Sequence, residues 1–190
     1  MILFVNACAR KESRTKKIAE ALLRSLTAGD AACAVEEVRL CEFDFPKTTE
    51  TLLAERDKNI AAGDFSDAYF DLAKQFARAD TIVIAAPYWD MSFPAVLKQY
   101  IEHINVLGIT FEYTPEGFPS GLCKAGKLYY VMTAGGDYVP EEFGFGYIKT
   151  LAESFYGIKE VECIKAVGLD IVGADSEKII QECMARKNFK

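Results

Sequence analysis

The chain has 190 residues, a mass of 21.1 kDa and a formal charge of −6, from 22 basic and 28 acidic side chains. Hydrophobic residues make up 51% and charged residues 26%, a balance typical of a globular protein and not of a disordered chain. The length predicts a single domain over residues 1–190. Net acidity argues against a nucleic-acid partner, and the lack of any apolar run of about 20 residues argues against a membrane span.

Six cysteines and a single histidine limit the chemistry. The cysteines form no C-x-x-C pair, and their spacing is typical of neither a zinc site nor a disulfide framework. Because Met1–Val5 has no basic segment before its apolar residues, we expect no signal peptide and a cytoplasmic protein with reduced thiols. The histidine, His103, lies in a segment of helical periodicity, which favours a structural or interface role over acid–base catalysis.

Apolar runs and helical periodicities alternate along the chain, as is typical of a parallel sheet with helices on both faces. The predicted strands are Met1–Asn6, Ala34–Leu40, Thr81–Ala86, Leu128–Thr133 and Val161–Val167. The predicted helices begin near Ser13, cover Pro94–Leu107 and cover Ser176–Arg186. Two segments are added to this alternation: a charged insert, predicted to be helical, at Glu42–Asp67 and a small hairpin or loop at Thr110–Gly121.

The loop after the first strand is the first candidate for ligand binding, since ligands of such sheets collect beyond the carboxyl ends of the strands. Residues 10–17 contain five cations and one anion, a local charge of +4 in an acidic protein. Cations oppose the dipole at a helix N-terminus, whereas a phosphate is stabilised there. The segment therefore predicts a phosphate near Ser13, held by hydroxyls and amides because no glycine-rich nucleotide motif is present. The alternative is that Ser13 is only an N-cap and that the lysines are solvated.

Aromatic residues and glycines mark the loops after the third and fourth strands. Residues 86–94 (APYWDMSFP) place a tyrosine, the only tryptophan, a methionine and a phenylalanine at a strand end, which indicates a pocket for a planar heterocycle. Such residues are about as often simply part of a core. In residues 133–138 (TAGGDY) two glycines follow a strand, so that the backbone can approach a ligand closely or make a tight turn.

Together these segments resemble one family. The sequence NACAR, then Ser13-x-Thr15, IVIAAPYWDMSFPAVLKQYIEHI, GITFEYT and TAGGDY are similar, in this order and over nearly the whole chain, to the FMN-dependent NAD(P)H quinone reductases and azoreductases. The resemblance implies an α/β, flavodoxin-like fold with a doubly wound five-stranded parallel sheet of order 2-1-3-4-5. It also implies FMN as cofactor, NADH or NADPH as co-substrate, ping-pong transfer of two electrons to a quinone or azo compound, and a homodimer.

The same resemblance implies which residues bind the cofactor, and it implies no catalytic side chain and no metal ligand. In the first loop the implied residues are Cys8, Arg10, Ser13, Arg14 and Thr15, with the hydroxyls of Ser13 and Thr15 on the phosphate. In the other two loops they are Pro87, Tyr88, Trp89, Asp90, Met91, Thr133, Ala134, Gly135, Gly136 and Tyr138. The chain departs from the family pattern where Asp90 replaces Asn, where Ala134 replaces Arg, and where Ala7 or Cys8 replaces a serine.

Three other functions are compatible with parts of the sequence. A flavodoxin-type FMN electron carrier without its own NAD(P)H reaction fits the acidic surface, but not the aromatic loop, the insert or GITFEYT. A hydrolase using Ser13 and His103 lacks a G-x-S-x-G elbow. A phosphoacceptor receiver lacks acidic residues after the first strand, while Cys8, close to a helix N-terminus and cations, is a candidate redox-sensing thiol of lowered pKa.

Overall fold

The computed structural model describes residues 1–30 and 32–185, and strands and helices alternate along them. In chain order they are β1 (Ile2–Asn6), α1 (Arg14–Thr27), β2 (Val35–Arg39), α2 (Glu50–Ala62), α3 (Asp71–Arg78), β3 (Thr81–Ala85), α4 (Ala95–Ile104), β4 (Phe111–Tyr113), β5 (Pro119–Gly121), β6 (Lys127–Thr133), α5 (Phe145–Leu151), β7 (Glu160–Ala166) and α6 (Ser176–Met184). None of the helices in this part of the chain combines the length and the apolar character needed to cross a membrane.

Five strands form one parallel sheet of order β2-β1-β3-β6-β7. Ile2 lies opposite Val35 on one side and Thr81 on the other, Thr81 lies opposite Lys127, and Lys127 lies opposite Glu160. Because β4 and β5 form a separate antiparallel pair, this order is the predicted 2-1-3-4-5, and the flavodoxin-like fold is confirmed. All five strands therefore point their carboxyl ends toward the same edge of the sheet.

Two apolar layers enclose the sheet, and the alternation of β1 shows how its residues divide between them. Leu3 and Val5 belong to the layer that includes α3 and α4, whereas Ile2 and Phe4 belong to the layer that includes α1 and α6. All four side chains are buried. Successive residues of a strand point to opposite faces, so a central strand covered on both sides is apolar throughout.

The insert and the hairpin follow the prediction, whereas the end of α4 differs from it. The insert forms α2, and the hairpin forms β4 and β5. The helix predicted for Pro94–Leu107 ends at Ile104, because Asn105 has ψ 81° and the Thr110 hydroxyl donates to the Ile104 carbonyl over 2.7 Å. Leu107 is therefore outside the helix and exposed. Of the last predicted helix, α6 is present, and Arg186 lies outside the described residues.

Two helices were missed by the sequence analysis. α3 buries Leu72, Ala73 and Phe76, a helical spacing that directly precedes the strongest strand. α5 continues into a π-helical turn, Ala152–Tyr156, which ends at Gly157 with a φ of 75°. The π turn brings the backbone of this segment against β5 of the hairpin.

We predict that Gly121→Ala destabilises the fold, because a Cβ there would lie 2.1 Å from the backbone nitrogen of Gly157 and 2.1 Å from the carbonyl carbon of Tyr156. Backbone atoms cannot move aside as a flexible side chain can, so the free energy of unfolding should fall by about 1–3 kcal/mol or more. Gly126→Ala is the matched control, since nothing lies within 4 Å of its Cβ position. Urea unfolding of both variants tests this, and equal losses would show that the contact is not tight.

Candidate functional site

A cavity at the carboxyl edge of the sheet is formed by the loops that follow β1, β3, β6 and β7. Its volume is about 590 Å³, which is the size of a small-molecule site. The residues that line it are Cys8, Ala9, Arg10, Glu12, Ser13, Arg14, Thr15, Pro87, Tyr88, Trp89, Asp90, Thr133, Gly135 and Asp170. The structure therefore brings residues of all three predicted loops into one space, together with a residue of a fourth.

The first loop presents the N-terminus of α1 to the cavity. Ser13 is the N-cap of this helix, and its Oγ accepts a hydrogen bond of 3.2 Å from the Lys16 amide. The amides of Arg14 and Thr15 find no acceptor among the described residues. Free amides at the positive end of a helix dipole form a binding site for an anion. The two alternatives for Ser13 are thus compatible, because capping one amide leaves the two before it available.

The positive charge of the first loop is partly compensated by acids that are distant in sequence. Arg14 makes a two-pronged ion pair with Asp170, with Nη1–Oδ1 at 2.8 Å and Nη2–Oδ2 at 3.2 Å. These hydrogen bonds hold the pKa of the Asp170 carboxyl below its ordinary value. Lys17 pairs with Glu177 at 2.8 Å. The +4 counted over residues 10–17 therefore overstates the charge at the cavity.

Two buried hydroxyls join α1 to β6 beneath the cavity. The Oγ1 atoms of Thr15 and Thr133 lie 2.7 Å apart, and both side chains are buried. Thr133 is the last residue of β6, and its carbonyl also accepts a 2.9 Å hydrogen bond from the Tyr88 amide of the second loop. The end of one strand thus holds parts of both other loops in position.

The second loop contains a strained turn. The backbones of Trp89 and Ser92 exchange two hydrogen bonds of 2.9 Å, and the two residues between them, Asp90 and Met91, have φ of 50° and 68°. Two consecutive left-handed residues inside such a pair form a type I′ turn, which usually contains Asn or Gly. No other non-glycine residue of the described chain has a positive φ. Strain of this kind is concentrated at ligand-binding sites.

Polar backbone and a cation accompany the aromatic rings of this turn. Within residues 1–30 and 32–185, the amides of Asp90 and Met91 donate to no acceptor. The Arg10 guanidinium lies 5.9 Å from the centre of the Trp89 ring, within the range of a cation–π interaction. The Ser92 hydroxyl donates to the Phe143 carbonyl over 2.5 Å and so attaches the turn to the segment before α5.

The residues of the third loop differ in burial and in whether they line the cavity. Ala134 is buried, and its amide donates to Ala166 of β7. The Gly136 carbonyl accepts from the Gly168 amide, and Tyr138 is 76% exposed. Together with Met91, the residues predicted for the site that do not line the cavity are Ala134, Gly136 and Tyr138.

Asp170 is the main residue of the cavity that the sequence analysis missed; Ala9 and Glu12 are the others. It follows β7, whose loop lines the cavity but was not considered in the sequence analysis. A Cβ on Gly135 would lie 2.4 Å from Asp170 Oδ2, so Gly135 makes room for this carboxylate. The signal available in the sequence was the acid at a strand's carboxyl end, the position at which ligands of parallel sheets bind.

Comparisons with known proteins agree with this geometry. Residues 1–188 match the family described as having a flavodoxin-like fold. The chain belongs to this family. A member named FMN-dependent NADH:quinone oxidoreductase, from Coprothermobacter proteolyticus, is 35% identical over 195 residues, covering 96% of this chain and 94% of the relative. An azoreductase structure from Bacillus anthracis strain Sterne superposes with a TM-score of 0.82 at 28% identity, covering 96% and 94% of the two chains.

A further structure of the flavodoxin-like fold, an FMN-dependent NADH-azoreductase from Bacillus anthracis strain Ames Ancestor in complex with FMN, has a TM-score of 0.80 at 23% identity. It covers 96% of this chain and 92% of its own, and at this identity it shows the fold alone. The names of these relatives favour the reductase interpretation over a flavodoxin-type electron carrier.

The geometry contradicts two of the other interpretations. Ser13 and His103 line different cavities, so the hydrolase hypothesis is wrong. The lowered pKa expected for a redox-sensing Cys8 is also contradicted, because burial raises the pKa of this thiol to about 11. Desolvation of the thiolate outweighs the opposing effects of Ser13 and Lys16.

We predict that Met91→Gly is more stable than Met91→Ala by about 0.5–1 kcal/mol. A left-handed backbone costs an L-residue about 1–2 kcal/mol, and the greater freedom of glycine in the unfolded chain offsets part of that gain. The Met91 side chain is 42% exposed, so either truncation removes similar packing. In the control pair Ala54 and Ala54→Gly, on an exposed position of α2, the sign should reverse. Urea unfolding measures all four proteins, and a more stable Met91→Ala would contradict strain at this turn.

Proposed function

We propose that the chain is an FMN-dependent oxidoreductase that transfers electrons from NADH to quinones, azo compounds or similar small acceptors. The observation that carries this proposal is the cavity itself, which has a helix N-terminus with two free amides at one side and an aromatic turn with two free amides at the other. An anionic group suits the first side and a flat heterocycle with a polar edge suits the second. FMN joins both groups in one molecule.

The residues present fit FMN in charge and in shape. Ser13, Arg14 and Thr15, with Arg10 and Cys8 beside them, would hold the phosphate, because free amides at a helix N-terminus and the two arginines favour an anion there. Residues 87–91 would contact the ring and the chain that connects it to the phosphate. Residues 133–136 and Tyr138 would complete the site, where Gly135 lets the backbone lie close to the cavity without a side chain.

When bound, FMN supplies the acceptance and delivery of two electrons, and the protein supplies binding, orientation and electrostatics. The amides of α1 hold the cofactor by its phosphate. The turn at Asp90 and Met91 would orient the ring. We propose no catalytic side chain, and ping-pong turnover in which NADH and the acceptor use the same open side of the cavity in turn. NADPH is the alternative reductant.

We further propose that the chain acts as one domain over residues 1–190 in a homodimer, with the cavity near the subunit interface. Support comes from exposed apolar side chains of the segments around the cavity, among them Tyr138 at 76% and Phe143 at 57%.

We propose a cytoplasmic location because all six cysteines are free thiols. With a charge of −6, neither nucleic acid nor a membrane surface is proposed as a partner.

We predict that Ser13→Asp weakens FMN binding by about tenfold or more. Aspartate is as good an N-cap as serine, so α1 should form normally, while its carboxylate repels the phosphate. Ser13→Ala is the matched control: it loses the cap, at about 1 kcal/mol of stability, but adds no charge and should bind FMN more tightly than Ser13→Asp. Quenching of FMN fluorescence on titration measures all three proteins. No saturable quenching by the unmutated chain would overturn the FMN proposal.

We predict steady-state oxidation of NADH when menadione is added to the FMN-loaded protein. An electron carrier of the flavodoxin type would bind FMN in the preceding experiment but would show almost no such turnover. The rate is followed from the absorbance of NADH, with free FMN at the same concentration as the control. A rate no higher than that control would leave the chain an FMN-binding protein and would contradict the proposed reaction.

A further inference from the structure

A second cavity, of about 510 Å³, lies between the insert and the outer side of α4. Its lining residues are Phe45, Pro46, Lys47, Thr48, Leu52, Leu53, Arg56, Tyr69, Gln99, Glu102, His103 and Asn105. None of them lines the first cavity. α4 starts at Ala95, just after the second loop, so His103 lies about 12 Å further along the helix axis, away from the carboxyl edge of the sheet.

His103 is the polar group that marks this cavity. Its side chain is held between two aromatic rings, with ring centres 4.4 Å from Tyr69 and 5.3 Å from Phe45, and the residue is only 8% exposed. Among the described residues, neither ring nitrogen has a hydrogen-bond partner, and neither belongs to the buried atoms that lack one, so both are accessible. Because His103 lines the cavity, a ligand there can form a hydrogen bond with the imidazole.

The charges around the cavity favour an anion. Lys47 and Arg56 are at its wall with a single acid, Glu102. Glu102 is engaged by Lys98 of the preceding turn, and Arg56 by Asp57. Lys47 makes no ion pair with any described residue. The wall of the cavity is therefore weakly cationic.

The remaining wall is apolar and partly aromatic. Phe45, Leu52 and Leu53 of the insert line the cavity together with Tyr69. The imidazole of His103 is neutral at pH 7 because burial and the nearby Arg56 lower its pKa. A neutral imidazole carries one N–H donor, which a carboxylate oxygen can accept. Flat apolar surface, one donor and cations in the wall together match an aromatic ring that carries a carboxylate.

We propose that this cavity is a second ligand site, one that binds a small planar carboxylate with its ring against Phe45 and Tyr69 and its carboxylate toward His103 and the cations Arg56 and Lys47. The site is independent of the proposed cofactor site, since the two cavities have no lining residue in common. A failure of the FMN proposal would therefore leave this one standing.

The experiment uses 2-naphthoate as the probe, with the full chain in the presence of excess FMN to occupy the first cavity. Because the chain has one histidine, its imidazole Cε1–H gives a single NMR signal. We expect this signal to shift saturably with 2-naphthoate, and we expect intermolecular NOEs from the naphthalene ring to the rings of His103 and Tyr69. The uncharged analogue 2-naphthamide should bind about tenfold more weakly.

Calorimetric titration of variants separates this site from nonspecific binding. His103→Phe keeps an aromatic ring between Tyr69 and Phe45 but removes the nitrogens, and it should weaken 2-naphthoate by about tenfold. Arg56→Gln should weaken it similarly, whereas Lys58→Gln, the loss of an exposed cation on the same helix but outside the cavity, should have no effect. An unmoved His103 signal, NOEs only to rings of the first cavity such as Trp89, or equal losses in Arg56→Gln and Lys58→Gln would overturn the proposal.

Discussion

The hydrogen-bond ladder of the parallel sheet continues past the strand ends into all three loops of the cavity, and the position of every other group there depends on it. Each loop begins with a buried alanine: Ala7, Ala86 and Ala134. Their amides donate to carbonyls of the next strand in the sheet at 2.9, 3.0 and 3.0 Å. A larger side chain at any of these positions would have to displace a close-packed layer. The loops therefore leave the sheet at one common level, and the free amides of α1 and of the strained turn are presented by backbone that is already held rigid.

Asp170, the cavity residue that follows β7, gives a reason for glycine at position 135 besides the close approach of a ligand. Gly135 has no room for a Cβ because the Asp170 carboxylate lies there, and the Asp170 amide donates to the Gly135 carbonyl over 2.9 Å. That carboxylate in turn holds both terminal nitrogens of Arg14. A guanidinium held in this way has already lost rotamer freedom before a ligand binds. Binding of an anion to it therefore costs less side-chain conformational entropy. The same ion pair reduces the net positive charge of the first loop. The amides of α1 therefore contribute more to the attraction of an anion, relative to the side-chain charges.

Most of the fold could be predicted from the sequence, because buried parallel strands are apolar on both faces and stand out from the amphipathic helices between them. The strand order followed from the family resemblance and from no local signal. The missed helices, α3 and α5, are short, and the sequence pattern of a neighbouring strand or loop is stronger than their own helical periodicity. In the site, contacts within a loop were predictable from spacing, whereas the pairing of Arg14 with Asp170 joins residues 156 positions apart. No pattern in the neighbourhood of either residue indicates that partner.

Asp90 shows how a departure from the family pattern can preserve one property of a site and change another. Its φ of 50° requires a residue that tolerates the left-handed region, and aspartate does so nearly as well as asparagine because its short side chain can hydrogen-bond locally. The turn and its two free amides therefore survive the replacement, and with them the orientation of whatever lies against the turn. The charge at this position differs, because a carboxylate lines the cavity where the family resemblance implies a neutral amide. If the ring of the proposed cofactor lies beside Asp90, an anionic group there would disfavour added negative charge on the ring, so the replacement would change how readily electrons are accepted more than how tightly the oxidised cofactor is held.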